Sequence, residues 1–338
     1  MAKIKIGING IGRIGRTLIR QLFSSPSDLI EITAVNNPGD PTIYTHLIKH
    51  DSVHSTFAGN VHFSENTLYI NESPIKFFTE KDPSRIPWSE AGVEVVIDAT
   101  GKFKSKEDLS KHIRDSVKKV VLCAPGAKDI DHTIVMGINH SDYNPSTHDV
   151  VSNASCTTNC LAPVAKVLND SFGIENGFMT TVHAYTSDQR LLDHSHSDLR
   201  RARAAAMSMI PTTTGAAKAI GLVIPELAGK LDGYAVRVPT PNVSMVDFTV
   251  NLKSDTTKEE VNQKLKEAAS SHLSGILNVT DEELVSNDYN GSTYSSIVDA
   301  PLTNMVTPRS LKLVVWYDNE SGFSNRVINL TELIASKL

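Results

Sequence analysis

Gly10, Gly12 and Gly15 stand between an apolar run, Lys3 to Asn9, and a segment of helical spacing, Arg16 to Phe23. Few folds accept that order. A strand, a tight glycine turn and a helix start place three flexible residues where a backbone must approach something closely. The pattern G-x-G-x-x-G in this context is that of a dinucleotide site, with the pyrophosphate at the helix N-terminus. A second strand, Glu31 to Val35, leads to the position where such sites carry an acid for the adenine ribose. Here the residues are Asn36 and Asn37. An amide still bonds a hydroxyl, but it has no charge to repel a 2′-phosphate, and no Lys or Arg follows closely to bind one.

Further strands are expected at Val93 to Asp98 and Lys119 to Cys123, with a helix over Lys106 to Val117 between them. Alternating strands and helices with right-handed crossovers give a doubly wound parallel sheet of Rossmann type. Ligands then lie along the carboxyl ends of its strands, where Thr100 and Gly101 fall. Residues 55 to 80 read as an antiparallel excursion with polar turns. At 338 residues the chain exceeds one core, so two domains are expected. The first spans 1–155 and is completed by a C-terminal helix at 320–338, whose amphipathic part is Asn325 to Ser336. The second, 156–319, reads as α+β with a mostly antiparallel sheet.

The second half carries its own chemistry. Cys156 falls at the first turn of a helix through Leu168, where unpaired N–H groups and the helix dipole favour a thiolate. A buried structural cysteine is the plainer alternative. Gly177 to His183 reads as a strand delivering His183, which is either a base for that thiol or a hydrogen-bonded core histidine. The stretch from Thr186 to Ala206 is long and ends in arginines (Arg200, Arg201, Arg203), either a solvated face or a functional loop. Leu199 and the alanines after it suggest that it is ordered against something. Thr213, Thr214 and Gly215 precede a helix and suit either an oxyanion or an ordinary cap. Arg237 lies inside an apolar strand and needs an anionic partner.

A net charge of −5 argues against a broad nucleic-acid surface, though not against a local anion pocket. Three cysteines (Cys123, Cys156, Cys160) form neither a disulfide framework nor a closed zinc site, and no ligand cluster supports a metal. A reducing cytoplasm fits them best. There is no signal-peptide pattern, and no apolar run approaches the ~18 residues of a membrane span.

The motifs together resemble one family closely, phosphorylating glyceraldehyde-3-phosphate dehydrogenase. Ser152 to Cys160 (SNASCTTNC) is similar to its active-site signature. Asn9-Gly10 with Arg13 to Arg16, His50 to His54, Thr181-Val182-His183, Thr213 to Lys218, Arg237 to Ser244 and Trp316 to Glu320 follow in the family's order. The resemblance implies Cys156 as nucleophile and His183 as base. Ser155, Thr157, Thr214 and Gly215 match the inorganic-phosphate site, with Arg201 as a further member. Thr186 and Arg237 match the site for the substrate's own phosphate. Gly10, Gly12, Arg13, Ile14, Gly15, Asn37, Thr100, Gly101 and Asn319 match cofactor contacts. It further implies NAD as cofactor, glyceraldehyde 3-phosphate and inorganic phosphate as substrates, a thioester intermediate, and a homotetramer whose loop at about 184–206 lies against a neighbour's cofactor pocket. Three departures stand out: Asn37 for the ribose acid, Ser195 for a loop proline, and Phe323 for a tyrosine. The first two leave room for NADP as a poorer second cofactor.

The rivals are erythrose-4-phosphate dehydrogenase, a relative with the same thiol and base, and an NADP-accepting anabolic form of the same enzyme. From other classes, a cysteine acyltransferase or hydrolase leaves the glycine turn unexplained, and a non-catalytic NAD-binding protein needs no thiol.

Overall fold

The computed structural model describes residues 2–338, which divide into two compact units. The first comprises residues up to Ile134, His140–Ala154 and Ser324–Leu338; the second comprises Val135–Asn139 and Ser155–Phe323.

In the first unit β1 (Ile4–Asn9) leads through the glycine turn into α1 (Arg13–Ser24) and then β2 (Ile30–Asn36). Helix α2 (Pro41–Lys49) and a small ribbon of β3 (His50–Asp51) with β4 (Ser55–Thr56) come next. The excursion is β5 (Val61–Ser64), β6 (Thr67–Ile70) and β7 (Ser73–Phe78). Its turns use left-handed pairs, Glu65-Asn66 and Asn71-Glu72, as two-residue hairpins require. Then come β8 (Val95–Asp98), α3 (Lys106–Ser110), β9 (Lys119–Leu122), β10 (His132–Thr133) and β11 (Val150–Ser152). The sheet order is β10-β11-β9-β8-β1-β2-β7-β6-β5, parallel except within the excursion. β1 has β2 on one side and β8 on the other, so the crossovers reverse direction at the glycine turn.

Two glycines have separate reasons. Gly10 has φ +93°, and a Cβ on Gly15 would stand 2.1 Å from the Gly10 carbonyl oxygen, so α1 packs on the turn only without a side chain there. Under the turn runs a buried polar chain. Trp88 Nε1 donates to His112 Nδ1 at 3.1 Å, which leaves the ring's proton on Nε2, facing Asp98 Oδ2. Asn9 Nδ2 donates to the same Oδ2, Asn36 Nδ2 to Asn9 Oδ1, and Glu80 N–H to Asn36 Oδ1. Four strand ends are thereby tied together. This network also corrects the helix expected over 106–117. It stops at Ser110 because His112 is drawn into the core and Asp115 turns left-handed at φ +53°.

The second unit opens with α4 (Cys156–Phe172), followed by β12 (Ile174–Ala184), β13 (Ile210–Thr212) and α5 (Ala216–Val223). It continues through β14 (Leu231–Val238), β15 (Ser244–Leu252), α6 (Lys258–Ala269), β16 (Leu277–Thr280), β17 (Ser296–Asp299), β18 (Asn304–Thr307) and β19 (Ser310–Tyr317). The sheet runs β13-β14-β12-β15-β19-β17-β16, and only β12/β14 and β16/β17 are parallel. Helix α7 (Ser321–Ala335) begins four residues before the expected Asn325, because Asp318 Oδ1 accepts from the N–H groups of Glu320 and Ser321. Its later residues belong to the first unit, where Ser27 Oγ donates to Glu332 at 2.6 Å.

Candidate active site

Ser155 caps α4, its Oγ accepting from Thr158 N–H at 3.1 Å, and Cys156 is the first helical residue. Ala154, just before the cap, is buried and left-handed at φ +57°. Such backbone persists only where its surroundings hold it, and here it swings the chain from β11 into the helix. Cys156 Sγ lies 3.5 Å from His183 Nε2.

His183 sits near the end of β12, and its Nδ1 is 2.7 Å from the carbonyl oxygen of Ala184. A carbonyl only accepts, so this contact puts a proton on Nδ1 and leaves the Nε2 lone pair to sulfur, whereas Arg237 Nη1, 3.1 Å from the same Nδ1, can only donate and favours the other tautomer. Arg237, the register partner of His183 on β14, donates to the same carbonyl at 3.1 Å and to Thr186 Oγ1 at 3.3 Å. The buried Arg237 Nε has no hydrogen-bond partner among the described residues.

Burial adds a cost that the sequence does not show. Burial pushes the Cys156 thiol up; Arg237 and hydrogen bonding at Thr157 pull it down without offsetting that cost. Burial, and then the charge of Arg237, push His183 down to about 3. Burial thus opposes the thiolate that the helix start favours. The helix effect falls off within one turn and is smaller than the cost of desolvating a charge.

Tyr317 holds this pair from below. Its hydroxyl lies 2.9 Å from Thr157 Oγ1 and 2.8 Å from Thr181 Oγ1, and its ring meets His183 edge-on at 5.9 Å. Tyr317 thus braces the helix bearing the thiol against the strand bearing the base. In the sequence it reads only as the apolar end of a strand. The cue was the pair of threonines, each beside or near a reactive residue and each needing a partner once buried.

The other expected residues are less closely gathered. Arg201 is held by Asp188 (2.6 Å), Thr212 Oγ1 (3.0 Å) and Thr213 O (3.3 Å). Thr214 Oγ1 accepts from Ala216 N–H, and Gly215 is the uncapped start of α5 with open space at its Cα. Leu199 packs against little, at 83% exposed, whereas Ala204 and Ala205 are buried.

At the glycine turn Gly12 is the N-cap of α1 and brings no side-chain cap; a Cβ there would meet nothing within 4 Å. The turn thus leaves space beside Gly12, which fits the close approach of a pyrophosphate. Asn37 Oδ1 accepts from Ile11 N–H at 2.8 Å and its Nδ2 donates to Pro38 O, so the amide also pins the turn. Arg13 is paired with Asp51, which burial pushes up but Arg13 and the N–H groups of His54 and Val53 hold at about 2. Ile14 follows on α1, and Thr100 bonds Asp98 through both its N–H and its hydroxyl, ahead of Gly101 at φ +67°. No cluster of three or more His, Cys, Asp or Glu able to hold a metal occurs among the described residues, and none of their helices is long and apolar enough to cross a membrane.

The family models of glyceraldehyde 3-phosphate dehydrogenase match both halves, the NAD binding domain at residues 4–106 and the C-terminal domain at residues 155–319. Glyceraldehyde-3-phosphate dehydrogenase 1 of Bacillus cereus is 54% identical over 333 residues, covering 98% of this chain and 99% of that protein. The chain belongs to the glyceraldehyde-3-phosphate dehydrogenase family. The Geobacillus stearothermophilus enzyme is likewise 54% identical, and glyceraldehyde-3-phosphate dehydrogenase 2 of a Nostoc species is 53% identical, each over 99% of both chains.

Proposed function

We propose that this protein oxidises glyceraldehyde 3-phosphate and phosphorylates it to 1,3-bisphosphoglycerate, with NAD as the favoured cofactor. The observation that carries this is the Cys156 Sγ to His183 Nε2 approach of 3.5 Å, with Arg237 on the adjoining strand. In this reading the first unit holds the dinucleotide and the second carries the thiol chemistry. Residues Gly10, Gly12, Arg13, Ile14, Gly15, Asn37, Thr100 and Gly101 of that unit hold NAD, which accepts the hydride when bound.

The rest is the work of the chain's own groups. His183 Nε2 takes the thiol proton as sulfur adds to the aldehyde carbon, passes it to the alkoxide so formed to give the hemithioacetal, and takes it back from that hydroxyl as the hydride leaves. Loss of hydride leaves a thioester on Cys156. Its reactivity conserves the energy of oxidation until phosphate attacks the acyl carbon and sulfur departs. Substrate and attacking phosphate are both anionic, so two anion sites are needed. Arg237 and Thr186 take the substrate's phosphate; Ser155, Thr157, Thr214, Gly215 and Arg201 surround the incoming one. The partnerless Nε of Arg237 supports the first assignment, because a buried guanidinium donor without an acceptor is costly.

NADP is the poorer second cofactor in this reading, since Asn37 bears no charge against a 2′-phosphate. A homotetramer accounts for the apolar surface of the long loop, where Leu191, Leu192 and Leu199 are 81%, 71% and 83% exposed. Three unpaired cysteines agree with a cytoplasmic setting. The direct test is Cys156→Ser: aldehyde oxidation should be abolished while dinucleotide affinity stays within a few-fold. Substantial turnover in the serine variant would remove the covalent mechanism.

A further inference from the structure

The turn that follows the base is clamped onto itself. Gln189 N–H donates to the Thr186 carbonyl at 2.9 Å, and Thr186 N–H donates back to Gln189 Oε1 at 3.3 Å. A backbone N–H only donates, so the amide atom that faces it is the oxygen, and Nε2 is left for another partner. Gln189 is 7% exposed, and its buried Nε2 has no hydrogen-bond partner among the described residues. A buried donor left unmatched is destabilising and calls for an explanation.

Thr186 is also tied to a second such donor. Arg237 Nη1 donates to Thr186 Oγ1 at 3.3 Å and to the Ala184 carbonyl at 3.1 Å, while its buried Nε lacks an acceptor among the described residues. The neighbouring carboxylate is engaged elsewhere: Asp188 lies 2.6 Å from Arg201 and 3.5 Å from His196. Arg237 on β14 and Gln189 in the turn after β12 therefore bring two unmatched donors to one residue. One of them carries a positive charge. The acceptor that suits both is an anion with several oxygens.

We propose that Gln189 is a specificity-determining residue for the substrate: with Arg237 and Thr186, its Nε2 donates to the phosphate of the phosphorylated aldehyde. This deepens, and rests on, the reading of Arg237 and Thr186 as that phosphate's site. The Thr186 N–H gives the amide a fixed aim, because turning it over would set donor against donor.

Steady-state kinetics of the full-length enzyme with glyceraldehyde 3-phosphate and with unphosphorylated glyceraldehyde test the proposal, read as the ratio of the two kcat/KM values. Two variants separate the donor from the turn. Gln189→Met removes both the donor and the acceptor for Thr186 N–H, whereas Gln189→Glu keeps the acceptor and removes the donor. The ratio should fall by about 3- to 10-fold in Gln189→Met, the range of one lost hydrogen bond. It should fall further in Gln189→Glu, at high ionic strength as well as low, because a contact is not screened as a distant charge is.

If Gln189 only holds the turn, Gln189→Glu should lie nearer the parent enzyme than Gln189→Met. That order, an unchanged ratio in both variants, or a Gln189→Glu deficit that vanishes in high salt would overturn the proposal. Arg237→Leu tells the two possible failures apart. If it leaves the ratio unchanged, the reading of the site fails and the proposal falls with it. If it lowers the ratio while the Gln189 variants do not, only the role of Gln189 is lost.

Discussion

His183 and Arg237 are register partners on parallel strands and donate to the same acceptor, the carbonyl oxygen of Ala184. The arrangement couples the base to the anion site. Arg237 is second only to burial in holding His183 down at about 3. An anion on Arg237 offsets that charge, so substrate binding should raise the basicity of the residue that must next accept a proton.

The pH dependence follows with a definite sign. A histidine that titrates near 6.5 unfolded and at about 3 folded binds more protons unfolded in between. Its contribution to stability is complete above about pH 6.5 and is lost as pH falls toward 3. His183→Gln should therefore flatten the fall in unfolding free energy over that window, by up to about 1.4 kcal/mol per pH unit. It should also slow alkylation of Cys156 near neutral pH. An unchanged slope in denaturant titrations, with unchanged alkylation, would mean that the imidazole is neither suppressed nor coupled to the thiol.

Arg237→Leu should raise KM for the phosphorylated aldehyde tenfold to hundredfold, as a lost charged hydrogen bond of about 1.5–3 kcal/mol implies. KM for NAD should move little. Comparable losses with a non-phosphorylated aldehyde would make the arginine structural.

The glycine turn separates two kinds of damage. Gly15→Ala puts a methyl against the Gly10 carbonyl and should cost stability outright. Gly12→Ala meets only open space, so melting should be nearly unchanged while dinucleotide affinity falls. If Gly12→Ala binds NAD normally, the open space there is not where the pyrophosphate lies.

Much of this was legible in the residues. The glycine turn, the helix start at Cys156 and the strand carrying His183 declare themselves through local chemistry. Three features did not. The helix before β9 is cut short by a histidine drawn toward Trp88 and Asp98, contacts with no local signal. Tyr317 reaches Thr157 and Thr181 across 160 and 136 residues. The burial that pushes the Cys156 thiol up is not visible in a helix start.

The cofactor preference turns on Asn37. Two unit charges ~4 Å apart interact by about 4 kcal/mol at a surface-like dielectric, so the missing carboxylate removes a large barrier to a 2′-phosphate. NAD should remain preferred, with measurable NADP turnover. Asn37→Asp should widen the preference, although the new carboxylate must then face the Pro38 carbonyl that the amide now serves. Steady-state kinetics with both cofactors measures it; NADP equal to NAD would contradict the assignment, and undetectable NADP activity would make Asn37 neutral.

The most direct measurement is to trap the intermediate. The enzyme is mixed with glyceraldehyde 3-phosphate and NAD in phosphate-free buffer, quenched, and its peptides are mapped by mass spectrometry. A stoichiometric burst of NADH is expected, with an acyl adduct on Cys156 that disappears when inorganic phosphate is added. An adduct on another residue, or a burst with no adduct, would contradict it.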